Sequence, residues 1–445
     1  MTGAAYSRRV PSGDPYVPGR GDAAFAVTHY DLDLDYKMSS NRLSGKAVLE
    51  VVALAPLAKL HLDLAGLRVA KVGVDGTSAK WTHRDQRLTV TVPHRLVVDD
   101  RVTVTITYAG TPAPVRSPWG EVGWEELDDG VLVASQPTGA PTWFPCNDHP
   151  RSKATYRIAI ECDSPYEVVA TGALTAKRVR GSRTRRVFEQ RRPMATYLAA
   201  VHAGHYEHVT IADGPVPQTV ALPAAVKAPV LADLERQPQM MTFFTEVFGR
   251  YPFDDYTVVV TADDLEIPLE AQGMATFGPN WLRGRGAQER LVAHELAHQW
   301  FGNSLTITGW SDIWLNEGFA CYAEWLWSEQ SGAATADDLA TAHHSQLAAL
   351  PQNLVLADPG PRLMFDDRVY KRGALLLHAL RRHLGDQAFF ALVRAWVAAG
   401  EHGSVSTAGF VDLVLAHDDR PVVHELLDDW LWRMPLPRLP AATLS

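Results

Sequence analysis

Over residues 27–205 the chain alternates apolar and polar positions in short runs. Tyr30-Asp31-Leu32-Asp33-Leu34-Asp35-Tyr36 has a period of two, which places Tyr30, Leu32, Leu34 and Tyr36 on one side of an extended backbone and predicts a strand with one buried face. Residues 88–92, 102–108, 155–160 and 167–169 are short and rich in β-branched or aromatic side chains. Turn residues separate such runs, among them Asp75-Gly76, Ala109-Gly110 and Gly181-Ser182. Strands of this length and spacing predict a β-sandwich or a saddle-shaped sheet domain.

After about Tyr206 helical patterns take over. Residues 231–250 carry Leu234, Met241, Phe244, Val247 and Phe248 at helical spacing, and the pattern stops at Gly249 and Pro252. Residues 256–261 read as one strand, and 263–277 as an irregular segment that is partly strand. From Ala287 onward helix follows helix almost to the end. The expected fold class is therefore α+β and multidomain. An extended arm over 1–24 precedes an N-terminal β domain over 25–206 and a mainly helical domain over 207–445.

Length supports that division, since 445 residues exceed what one hydrophobic core usually serves. With 46% hydrophobic and 21% charged residues the composition is that of a globular protein, which excludes disordered and fibrous classes. The net charge of −9 gives no support for a nucleic-acid partner, which calls for a basic patch. No run approaches the roughly 18 apolar residues of a membrane span. The first residues lack the apolar core of a signal peptide, so no membrane contact and a cytoplasmic location are expected. Cys146, Cys162 and Cys321 form no C-x-x-C pair and suggest neither a disulfide framework nor a thiolate metal site.

The chemistry concentrates at His294-Glu295-Leu296-Ala297-His298, inside the helical run expected over 287–301. Residues four apart stand one above the other on a helix, so both imidazoles can reach one ion while Glu295 points toward an open coordination position. Neutral imidazole suits zinc, which in catalytic sites takes three protein ligands and leaves the fourth place to water. Glu317 is the candidate third ligand. It follows His298 after eighteen residues, on a second helix expected to run through Trp327, and a loop over 303–309 would fold that helix back beside the first. Ligating histidines usually donate their other N–H to a carboxylate or carbonyl, and Asp312 and Glu324 are the candidates for receiving it.

The residues around this site resemble a known family. His294-Glu295-Leu296-Ala297-His298-Gln299-Trp300-Phe301-Gly302-Asn303, with Trp314-Leu315-Asn316-Glu317-Gly318-Phe319-Ala320, closely resembles the gluzincin zinc aminopeptidases, the group of alanyl aminopeptidase, aminopeptidase N and leukotriene hydrolase. Gln136-Pro137-Thr138-Gly139-Ala140, Trp143-Phe144-Pro145-Cys146, Lys153-Ala154-Thr155-Tyr156, Tyr370-Lys371-Arg372-Gly373-Ala374 and Asp428-Asp429-Trp430-Leu431 extend the likeness over about residues 27–440.

The resemblance implies a thermolysin-like catalytic domain with one zinc ion held by His294, His298 and Glu317. It implies a zinc-bound water as nucleophile, Glu295 as general base, and Tyr370 as hydrogen-bond donor to the oxyanion. It also implies that Glu270, assisted by Gln136, grips the free α-amine of peptide substrates. Two departures stand out. The family's G-x-M-E-N stretch reads here Ile267-Pro268-Leu269-Glu270-Ala271, and many relatives continue past the equivalent of Ser445 into a further helical domain. A more open cleft, or one covered by another subunit, is expected. A zinc endopeptidase and a catalytically inactive peptide-binding scaffold of the same fold remain alternatives. Epoxide hydrolysis fits less well, because the leukotriene branch carries a second tyrosine where this chain has Phe365.

Overall fold

Phe25–Lys37 is an inner strand of an eight-stranded sheet, and its buried positions follow the alternation of its sequence. The sheet runs in the order Ala173–Arg180, Arg183–Ala195, Lys153–Asp163, Phe25–Lys37, Arg42–Ala53, Arg101–Gly110, Arg68–Val74, Thr77–Ser78. Phe25–Lys37 pairs parallel with Lys153–Asp163 in a register that sets Tyr30 beside Tyr156 and Leu32 beside Ile158, so the apolar faces coincide. A three-stranded sheet (Leu57–Asp63, Arg87–Leu96, Trp81–Arg84) and a five-stranded sheet (Glu167–Ala170, Val201–Gly204, Gly130–Ala134, Gly120–Leu127, Val115–Ser117) complete the β-rich part. Tyr36 of the large sheet meets Trp124 of the five-stranded sheet edge-on at 4.9 Å. The computed structural model describes residues 13–286 and 288–441.

The second half is helical around a mixed sheet. Glu207–Ala212, Gln218–Leu222, Tyr256–Val260, Met274–Phe277 and Leu269–Ala271 lie in that order, and the last two form a hairpin. The helices are Lys227–Asp233, Gln237–Phe248, Glu289–Ala297, Trp314–Gln330, Ala336–Ala348, Asp367–Leu384, Asp386–Gly400, Thr407–His417 and Pro421–Trp432. None is long and apolar enough to cross a membrane.

Several expectations are corrected. The helix expected over 231–250 is two helices broken at residues 234–236, followed by Pro238 in the first turn of the second. Ala109-Gly110 is not a turn but the end of a strand, paired across to Ser44 and Leu43. Two strands precede the first helix where helical patterns were expected to dominate, whereas the segment 263–277 is partly strand as expected, its strands forming the hairpin. Ala287, where the histidine helix is expected to start, lies outside the described residues, and the helix spans Glu289–Ala297.

The arm expected to be extended is folded in its described part, and residues 1–12 lie outside the described residues. Asp14 accepts from the Trp310 N–H at 2.7 Å, and Tyr16 accepts from the Gly360 N–H at 2.9 Å. Residues 13–24 thus strap the start of the β-rich part onto the helical half. Lys153 makes a second junction, donating to the carbonyls of Asn303, Ser304 and Gly403 at 3.1, 2.8 and 3.1 Å.

Asp148 is 4% exposed, and of its two carboxyl oxygens only Oδ1 has a hydrogen-bond partner among the described residues, Thr196 Oγ1 at 2.8 Å. Burial, reinforced by the nearby Asp63 charge, pushes its carboxyl up to about 7. The folded state therefore holds this proton more tightly than the unfolded chain. Its contribution to stability falls as pH rises from about 4 to about 7 and is constant above that. Asp148→Asn should raise stability at pH 8 by on the order of 2–4 kcal/mol relative to its effect at pH 4. Urea unfolding of both proteins at the two pH values tests this, and a pH-independent difference would contradict it.

Candidate metal centre and active site

The helix Glu289–Ala297 opens with an acidic residue that suits its N-terminus; Glu289 is also bonded by Arg236 and by the Trp327 indole at 3.0 Å. Its apolar residues Val292, Ala293, Leu296 and Ala297 are buried, as packing requires, but so are His294 at 8% and Glu295 at 5% exposure. Burying ionisable groups without partners is costly, so their surroundings carry the explanation.

The helix Trp314–Gln330 runs antiparallel beside it, since Arg290 and His294 meet Glu324 while His298 meets Glu317. His294 Nε2 and His298 Nε2 each lie 3.5 Å from the same oxygen, Glu317 Oε2. The ligand atoms of these three residues fall within 4.8 Å of one another. Their remaining nitrogens are already engaged: His294 Nδ1 is 2.8 Å from Glu324 Oε1, and His298 Nδ1 is 3.0 Å from the Phe301 carbonyl. Each ring can thus donate from Nδ1 and present the lone pair of Nε2 toward Glu317, the tautomer a metal ligand needs. Two imidazoles and one carboxylate with that spacing fit zinc.

Electrostatics agree with a centre built for positive charge. Burial alone would raise Glu317, but His298 and His294, when protonated, bring it down to about 2, and the surrounding carboxylates in turn favour positive charge on both rings. Burial pushes Glu295 up to about 7 against the pull of the histidines, and also raises Glu270. Among the described residues Glu295 Oε2 has no hydrogen-bond partner.

Three more side chains converge on this centre. Glu270 sits on the hairpin edge strand, and its ligand oxygen lies within 4.8 Å of those of Glu295 and His298. Gln136, from the loop that leaves the strand Gly130–Ala134, donates to Glu270 Oε1 at 2.6 Å. Tyr370 comes from the helix Asp367–Leu384, its ring nearly parallel to that of His294 at 6.2 Å between centroids. Burial raises its phenol well above the ordinary value, so it keeps its proton.

The glycines after Glu317 and Tyr370 bring the two helices together. A Cβ on Gly318 would lie 2.8 Å from the Gly373 Cα, and the same distance holds in reverse. The backbones touch there, which neither site would permit with a side chain.

Residues 232–430 match the peptidase family M1 domain, and residues 26–198 match the peptidase M1 N-terminal domain. A solved M1 zinc metallopeptidase from Deinococcus radiodurans, a mutant bound to a Tyr-Ser-Ala substrate, is 31% identical to this chain. It aligns with a TM-score of 0.90 over 97% of this chain and 100% of its own. The chain belongs to peptidase family M1. Probable aminopeptidase 2 of Sulfurisphaera tokodaii is 24% identical over 91% of this chain and 53% of its own length. Human endoplasmic reticulum aminopeptidase 1 is 26% identical over 81% and 42% respectively. The chain thus spans about half the length of these curated relatives, and the whole of the Deinococcus radiodurans chain.

In this M1 chain the structure brings together His294, Glu295, His298, Glu317, Glu324, Glu270, Gln136 and Tyr370. Asp312 is the exception and a correction. Its oxygens accept from Thr308 Oγ1 and from the N–H and Oγ1 of Thr407, at 3.0, 3.0 and 2.8 Å, so it fastens the helix Thr407–His417 instead of orienting a histidine. The position facing the second histidine is taken by a backbone carbonyl, which no side-chain pattern could reveal. Gln299 also escaped assignment, although it directly follows His298.

Glu324→Gln removes the charge that holds His294 Nδ1–H while keeping the volume. It should weaken zinc affinity by about 10- to 100-fold. Competition against a chelating indicator measures this, and unchanged affinity would show that Glu324 does not orient the ring.

Proposed function

We propose that this protein is a zinc aminopeptidase that removes the first residue from peptides with a free N-terminus. The observation that carries the reading is the Glu270 carboxylate, held by Gln136 at 2.6 Å beside the His294, His298 and Glu317 cluster. With Oε1 occupied by the Gln136 amide, Oε2 is left to receive a substrate ammonium by a charge-assisted hydrogen bond. An acetylated terminus would leave that second oxygen without a charged partner in a half-buried site, at a cost on the order of 10²-fold in specificity.

His294, His298 and Glu317 would hold the zinc, which when bound supplies the Lewis acidity that makes water a nucleophile near neutral pH and polarises the scissile carbonyl. Glu295 takes the proton from the attacking water at its unpartnered Oε2 and returns it to the leaving amine. Burial, which disfavours the ionised form of this carboxyl, helps it hold the proton between the two transfers. Tyr370, kept protonated, donates to the carbonyl oxygen as negative charge gathers on it. Phe365, packed edge-on against Trp119 at 6.0 Å, brings no second phenol, which speaks against epoxide chemistry.

Cleavage of one short peptide with a free and with an acetylated amine, each with and without a chelator, tests the reading. Chelator-sensitive loss of the first residue from the free-amine peptide alone is expected. Equal cleavage of both would make the protein an endopeptidase, and cleavage of neither by the zinc-loaded protein would favour a binding scaffold. Separately, Tyr370→Phe should retain zinc and lose about 10²–10³ in kcat. Turnover comparable to the parent would remove Tyr370 from the mechanism.

A further inference from the structure

Glu270 and the histidines lie on different elements, yet the reading above requires the amine-holding carboxylate to stand at a fixed distance from the metal. The turn that closes the Glu270 hairpin, Ala271-Gln272-Gly273-Met274, has Gly273 at φ +74. Gln299, adjacent to His298 and 0% exposed, directs its whole amide into that turn. Its Nε2 donates to the carbonyls of Ala271 and Met274, both at 3.2 Å, and its Oε1 accepts from the Gly273 N–H at 2.8 Å. Asn303 adds a bond to the Ala271 carbonyl at 2.9 Å. From the other side Gln272 Nε2 donates to the Arg192 carbonyl at 3.2 Å, fastening the same turn to the β-rich part.

We infer that Gln299 is a positioning residue that sets the spacing between Glu270 and the metal ligands, and so the selection of the free N-terminus. The turn offers two carbonyls and one N–H to a single side chain. A primary amide alone among side chains of that length supplies donors and an acceptor together, whereas glutamate lacks the donors and lysine the acceptor. Every hydrogen-bonding group of Gln299 in this contact is directed at the turn that follows Glu270, and its backbone continues directly from a histidine of the cluster. A shift of about 1 Å in such an arrangement can cost 10²-fold in rate.

The inference rests on the proposed amine-holding role of Glu270, and the test separates the two. Gln299→Met keeps length and volume without polar atoms. Gln299→Asn keeps the amide on a stem one methylene shorter, and serves if the first variant does not fold. For each, zinc content, the thermal midpoint, KM and kcat on a free-amine peptide, the inhibition constant of free L-arginine, and the ratio of kcat/KM between free and acetylated peptides are measured. Zinc content should match the parent. KM and the inhibition constant should rise, and the preference for the free amine should fall, by about 10- to 100-fold. A purely structural role would lower the thermal midpoint and leave preference and inhibition constant unchanged, and that result would overturn the inference. A parent enzyme without preference for the free amine would overturn the Glu270 reading and, with it, this one.

Discussion

The active centre depends on a close crossing of two helices. Trp314–Gln330 and Asp367–Leu384 meet backbone to backbone at Gly318 and Gly373, where a Cβ on either would stand 2.8 Å from the other's Cα. Glu317 precedes one glycine by a single residue, and Tyr370 precedes the other by three. The contact therefore sets how near a phenol can come to the carboxylate shared by both histidines. A wider crossing would still bury apolar surface, since Trp314 and Phe319 on one helix and Leu376 and Leu377 on the other are all buried. It would withdraw Tyr370 from the cluster. Close packing here serves position as much as stability.

The centre is also assembled from both halves of the chain. Gln136 reaches Glu270 from the β-rich part, Lys153 binds three carbonyls at and beyond the histidine segment, and Tyr197 donates to the Gly302 carbonyl at 3.2 Å. Asn303, whose carbonyl receives Lys153, uses its side chain to hold the Glu270 hairpin. These bonds are buried or nearly so, where each lost partner leaves a carbonyl or amide unsatisfied. The β-rich part therefore orients the groups of the centre and does more than shield it.

What the sequence made legible follows from how local each constraint is. The histidine pair and the strand Phe25–Lys37 are set by periodicities of four and two, which survive any tertiary context. Glu317 could be found because its helix carries its own pattern. Glu207–Ala212 was missed because its positions are exposed or half-buried and no buried face marks it. Within 263–277, read only as partly strand, the bounds of Leu269–Ala271 could not be set because three residues give no period, and its partner and the Gln299 amide define it from outside. Choosing between Asp312 and Glu324 depended on which acid faces His294 across a helix pair. Glu324 lies seven residues after Glu317, two turns along the same face, whereas Asp312 precedes the helix and meets Thr407. The family resemblance supplied roles for Glu270 and Gln136 that no local pattern contains.

Charge balance connects these features to the proposed chemistry. The half-buried Glu270 and the buried Glu295 and Glu317 bring three carboxylates to one site, while Glu324 is answered by Arg290 at 3.1 Å. Two neutral imidazoles add nothing, and a divalent cation offsets two of the three negative charges. The site is then one positive charge short, in surroundings where an unpaired ion is expensive. In the proposed reading an N-terminal ammonium would supply that charge at Glu270, the carboxylate held by Gln136 and raised by burial. An internal stretch of polypeptide would supply none, and Glu270 would have to take up a proton or remain uncompensated. On this argument the preference for a chain terminus needs no separate recognition module. It would follow from placing a third carboxylate within 4.8 Å of a histidine and a glutamate of the metal motif.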